Sequence, residues 1–189
     1  MTGNVNSTVS GRAWLSLVTV LLFAVLLPVA AMPLRAQAQG VADAWTTYVN
    51  ARFGTAADVP ASGFSANPPP ANGDGRSWKS ADGRGAIAVF GSFMAVADSV
   101  AGYRQFMLTS AREGGVNVTY NTGRDNWFVY SGLKGGSIVY VKVVVTRPCG
   151  TYVANHIHLE YPADQQPYYA PIVKRMSASL RGSNGAPCP

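Results

Sequence analysis

Two hydrophobic periods alternate along the chain, and their order predicts its architecture. Val41 to Asn50 places Val41, Ala44, Trp45, Tyr48 and Val49 at helical spacing, which predicts a short opening helix. The period then drops to two at Phe53, Ala57 and Val59, a strand closing at Pro60. Ala61 to Arg76, centred on Pro68-Pro69-Pro70, reads as a loop or semi-rigid linker. Ser77–Ser80 and Gly85–Phe93 read as strands joined by Ala81-Asp82-Gly83-Arg84, whose Asp-Gly pair favours a tight hairpin. Asp98 to Glu113 is the strongest helix. Val100, Tyr103, Met107 and Ala111 mark one face, Asp98 or Ser99 supplies the cap, and Gly114-Gly115 ends it. Asn117–Asn121, Trp127–Leu133, Ser137–Thr146 and Thr151–Tyr161 follow as strands separated by glycine- and asparagine-rich turns. Pro171 to Leu180 closes the chain as a helix, with Pro171 in the first turn, where its missing N–H costs nothing. Tight turns between successive strands require a mostly antiparallel sheet. That sheet needs helices to cover it, so the fold class is α+β, layered.

The segment before this pattern has a different character. Arg12 precedes a long apolar run, Ala13 to Leu34, which ends in Ala36-Gln37-Ala38, a small-x-small cleavage pattern. Residues 1–38 therefore read as a secretory signal peptide and 39–182 as one domain, with 183–189 a short tail. The expected location is periplasmic or secreted. The alternative is a retained anchor, because the run matches the roughly 20 apolar residues that span a bilayer. The domain would then be membrane-tethered outside the cytoplasm.

Charge and cysteine content refine this reading. The formal charge of +6 falls to +4 without Arg12 and Arg35, and the remaining cations are scattered singly apart from Lys174-Arg175. That is not the basic stripe of a nucleic-acid binder. Cys149 and Cys188 are the two cysteines, and in an oxidising compartment an even count points to one bridge, the alternative being two free thiols. It would pin the tail to the Pro148–Gly150 turn. Closing a loop of about 40 residues is worth about 4 kcal/mol in the chain-entropy picture.

Chemistry-bearing motifs are sparse. There is no Gly-x-Ser-x-Gly elbow, phosphate loop or dinucleotide fingerprint, so no catalytic residue is assigned. One cluster carries metal-type donors. On a strand, His156, His158 and Glu160 share a face, and two imidazoles with a carboxylate suit zinc or a similar divalent ion. Against this, His156 and Glu160 start about 13 Å apart on a flat strand. Tyr168-Tyr169, beside Pro167, is the candidate exposed patch for a partner.

The run Tyr48-Val49-Asn50-Ala51-Arg52-Phe53-Gly54 leading to Val59-Pro60 resembles the opening of PsbP-like domains. Gly73-Asp74-Gly75-Arg76 with Ser80-Ala81-Asp82-Gly83, Trp127 to Gly132, and Leu159-Glu160-Tyr161-Pro162 are similar to small secreted proteobacterial proteins of unknown role with that domain. The resemblance implies an α/β/α sandwich and no activity of its own. Its members are mostly accessory or binding proteins, on photosystem surfaces or with small GTPases. The expected function is accordingly a non-enzymatic binding or accessory domain for a protein or envelope component. The alternative is a metal-binding protein or metal-dependent enzyme built on the His156/His158 face.

Overall fold

The computed structural model describes residues 44–183. Its elements are β1 (Trp45–Val49), β2 (Ala56–Pro60), β3 (Phe64–Ala66), β4 (Gly75–Ser80), β5 (Ala86–Phe93), α1 (Val100–Glu113), β6 (Asn117–Arg124), β7 (Trp127–Lys134), β8 (Ser137–Thr146), β9 (Val153–Pro162) and α2 (Gln166–Ser179). A seven-stranded antiparallel sheet runs in the order β3-β4-β5-β9-β8-β7-β6, and β1 and β2 form a separate hairpin. The layered α+β fold is as the pattern predicts.

Alternation along the strands splits the interior into two cores. On one face, Phe128 and Tyr130 of β7, Val139, Val141, Val143 and Val145 of β8 and Ala154 of β9 pack against Tyr103 and Leu108 of α1. On the other, Ile87 and Val89 of β5 and Ile157, Leu159 and Tyr161 of β9 meet Tyr169, Ile172, Met176 and Leu180 from α2 and its end. The β1–β2 hairpin completes this second layer through Ala57 and Val59, with Tyr48 edge-on to Trp78 at 5.3 Å. The chain leaving α2 returns to the hairpin, where Ala56 and Arg181 exchange both backbone hydrogen bonds, each 2.8 or 2.9 Å.

Local chemistry explains the boundaries. Gly83, at φ +72°, turns the β4–β5 hairpin, and Ser80 Oγ donates to Asp82 at 2.6 Å. Bonds from Ser80 and Gln165 hold the Asp82 carboxyl down to about 2. Ser99 is the residue that caps α1, its Oγ accepting from the Gly102 amide at 3.1 Å. Ser99→Ala is expected to cost about 1 kcal/mol, read as a lower urea midpoint with an unchanged slope.

Three predicted elements differ. The described part of the expected opening helix is strand β1, because Thr46, Thr47 and Val49 suit a pleated surface and the segment pairs with β2 over its full length. The expected linker contains β3, three residues that pair with β4, with Phe64 packed edge-on to Tyr169 at 6.1 Å. The last helix starts at Gln166, so Pro171 lies inside it and Pro167 takes the early position that suits proline.

Candidate functional site

Strand β9 lies between β5 and β8, and it brings His156, His158 and Glu160 onto the face that carries α1. His156 stands between Phe90 and Val143, His158 between Ala88 and Val141, and Glu160 between Ala86 and Val139. The shared face is as predicted, but the environments diverge.

His156 is only 1% exposed. Its ring stacks on Phe90 at 4.4 Å and 6°, and its Nε2 shares a 3.0 Å hydrogen bond with the Tyr103 hydroxyl from α1. Burial pushes its pKa down to about 4, so the ring is neutral at pH 7. Burial likewise raises the Tyr103 phenol. Neither group is poised to exchange a proton near neutral pH; the pair ties α1 to the middle of the sheet.

His158 is half-buried, and its pKa is lowered mainly by burial, with Lys134 adding to the effect and Glu160 opposing it. Among the described residues no three His, Cys, Asp or Glu side chains come together as a metal-binding group. His156 contributes to this: it is buried, and its Nε2 is already engaged by Tyr103, while the buried Nδ1 has no hydrogen-bond partner among the described residues.

The other predicted positions fare as follows. Tyr169 is fully buried, stacked on Tyr161 at 4.3 Å, which removes it from any partner surface. Tyr168 is half-buried, edge-on to Tyr169. The expected exposed Tyr168-Tyr169 patch is thus corrected: α2 starts early enough to turn Tyr169 into the core. Cys188, and with it the proposed bridge to Cys149, lies outside the described residues.

A feature the sequence did not announce lies on the far side of α1. A cleft of about 690 Å³ opens between the start of this helix and the β6–β7 turn. Its rim carries Arg104 from α1, Asn121 and Arg124 from β6, Asp125 from the turn, and Tyr152. Arg104 is held in place, its Nε and Nη2 donating to Asn121 Oδ1 at 2.9 and 2.7 Å. Arg147 adds a third cation near the rim, its guanidinium 4.8 Å from the Tyr152 ring.

Charge is unevenly divided around the fold. The ion pairs among the described residues are Arg52–Asp74, Arg84–Asp164 and Arg175–Asp58, and none involves a residue between Val100 and Arg147. That stretch of sequence holds six cations, Arg104, Arg112, Arg124, Lys134, Lys142 and Arg147, and only two acids, Glu113 and Asp125. The same part of the sheet exposes Tyr120 at 55% and Leu133 at 46%. Both lie on the face opposite α1, which also carries Trp127 at the far end of β7, over whose ring Lys142 Nζ sits at 5.8 Å. In sequence these cations look scattered. In the fold, Arg124, Lys134 and Lys142 lie on the neighbouring strands β6, β7 and β8, while Arg104 and Arg112 lie on α1.

No protein-family model matches the chain, and no curated protein sequence does. Solved structures do. Cyanobacterial PsbP (CyanoP) from Synechocystis sp. PCC 6803 shares 14% identity over 77% of this chain and 96% of its own, with a TM-score of 0.55. The Saccharomyces cerevisiae Ran-binding protein Mog1p shares 11% identity over 73% of this chain and 95% of its own, at 0.49. A Pseudomonas aeruginosa protein of unknown function, PA94, shares 13% over 77% and 98%, at 0.39. At such identities the likeness to CyanoP concerns the fold, which is of the PsbP-like sandwich type.

Proposed function

We propose that this protein is a non-enzymatic binding or accessory domain, delivered outside the cytoplasm by its N-terminal segment, and that it engages a protein or envelope component through the β6–β8 side of its sheet. The observation that carries the reading is the charge division. Cations in the rest of the fold include three held by aspartates, whereas no cation from Val100 to Arg147 is in an ion pair among the described residues, and the same stretch exposes Tyr120 and Leu133. Exposed aromatic and apolar side chains, together with arginines, are enriched in recognition surfaces. The His156–Tyr103 pair supports the same reading, because the most chemically suggestive residues of the chain are spent on holding α1 to the sheet.

The test is cross-linking capture from envelope extract with the wild type and with a Tyr120→Ser/Leu133→Ser variant. Both side chains are exposed, so the variant keeps its fold. A partner enriched by the wild type should fall about tenfold in the variant, in line with loss of an aromatic anchor. Equal capture by both proteins, or none above a bead control, overturns the reading.

A further inference from the structure

We propose that the cleft between the start of α1 and the β6–β7 turn receives an extended, acidic polypeptide segment of a partner protein. This rests on the reading of the domain as a binding module and adds the chemistry of what it binds.

Four observations converge on that occupant. The cleft, at about 690 Å³, has the size of sites that bury several side chains. Arg104 is fixed by two bonds to Asn121 yet neutralised by no carboxylate, since an amide oxygen carries no charge. Among the described residues, its remaining Nη1 has no hydrogen-bond partner and the Arg124 side chain makes no hydrogen bond or ion pair. Arg104, whose guanidinium is pre-oriented, and Arg124 both line the cleft, and guanidinium groups bind carboxylates through paired N–H donors. Asp125 is the single acid of the rim, and the first turn of α1 carries none.

The fourth observation concerns shape. β6 is an outer strand of the seven-stranded sheet, so one row of its backbone N–H and C=O groups is unpaired within the sheet. The ladder to β7 is irregular between Val118 and Tyr120 and regular from Tyr120 to Arg124. The regular part is the end that carries Asn121, Gly123 and Arg124, the three β6 residues of the cleft. An extended chain can add along such an edge by main-chain hydrogen bonds while its side chains read the neighbouring pockets. A segment running past Arg124 would lay alternate acidic side chains toward the cleft. A concave, edge-bound site of this kind suits a peptide better than a flat anionic membrane. The interruption by Asp125 breaks the continuous cationic track that a nucleic-acid backbone requires.

The experiment measures fluorescence anisotropy of a labelled oligo-glutamate peptide with the purified protein at low salt. The wild type should bind, and Arg104→Gln/Arg124→Gln should weaken binding at least about tenfold. Lys174→Gln, an exposed cation on α2 remote from the cleft, should change it less than about twofold. Arg124→Gln alone, which removes no internal bond, should weaken binding measurably and guards against a folding defect in the double variant. Wild-type protein that ignores the peptide overturns the proposal, as does an equal loss in Lys174→Gln. Tighter binding to phosphatidylglycerol vesicles or to single-stranded DNA than to the peptide also overturns it. If partner capture still depends on Tyr120 and Leu133 while the peptide fails, the binding role stands and only the ligand class falls.

Discussion

Lowering the pH from 7 to 4 is expected to remove about 3 kcal/mol of stability through His156 alone. The sign follows from the protonation states. In the folded protein the imidazole is buried between Phe90 and Tyr103 and takes a proton only near pH 4. In the unfolded chain it does so near its ordinary value of about 6.5. Between those limits the unfolded state holds more protons, so the native state loses ground as the pH falls. The loss begins below about 6.5 and levels off below about 4. His158 is depressed for the same chief reason and acts in the same direction. The carboxyls of Asp58 and Asp82 are lowered by hydrogen bonds and add a loss that sets in only at more acid pH. Urea midpoints followed by tryptophan fluorescence at pH 7 and pH 4 measure the sum. His156→Leu separates the term: it should be less stable at pH 7, because Tyr103 loses its partner, and should show a markedly flatter pH dependence. An unchanged pH dependence in His156→Leu would show that another group carries the acid sensitivity.

The neighbouring residue on β9 should be equally costly to change, for a different reason. Asn155 is fully buried and points to the opposite face of the sheet from His156. Its Nδ2 donates to the Val144 carbonyl at 2.9 Å and to Thr146 Oγ1 at 3.1 Å, while its Oδ1 accepts from Thr55 Oγ1 at 2.6 Å. One amide thus fastens β8, β9 and the approach to β2. Gly182 packs so closely that an added Cβ would lie 2.4 Å from Nδ2. Asn155→Ala removes these bonds and leaves the buried Thr55 hydroxyl unpaired. We expect a loss of about 3–4 kcal/mol, the sum of the lost bonds and the unsatisfied group. Thr55→Ala, which strands only one acceptor of Asn155, should cost about 1 kcal/mol. A loss below that figure for Asn155→Ala would mean that the amide is replaceable by water. Differential scanning calorimetry of both variants decides the point.

How much of this was legible in the sequence depends on the range of the interaction involved. The hairpins β4–β5, β7–β8 and β8–β9 could be read because their turns and alternation are local, and Gly83 shows the mechanism. The cap of α1 was narrowed to two residues for the same reason. Strand β1 is ambiguous in sequence because Trp45, Tyr48 and Val49 satisfy a helical spacing as well. What decides for a strand is the partner β2, a tertiary fact. The shared face of His156, His158 and Glu160 follows from a period of two. That Tyr103 would occupy the His156 nitrogen does not, since it requires knowing where α1 docks. The arginine-lined cleft was invisible for a related reason. Arg104 and Arg124 are twenty positions apart on different elements, and only the return of β6 alongside α1 makes them neighbours.

The order of strands carries a consequence for how the molecule comes into being. β3, β4 and β5 are successive neighbours, and so are β6, β7, β8 and β9. The two meanders are joined only where β5 meets β9, with Ala86 against Glu160 and Phe93 against Val153. Each meander can form from adjacent residues, whereas that junction must wait for a long loop to close. His156 and Asn155 both sit on it. During synthesis, β5 therefore stands as an open edge until the last strand has emerged, and assembly of the whole sheet turns on a single late encounter.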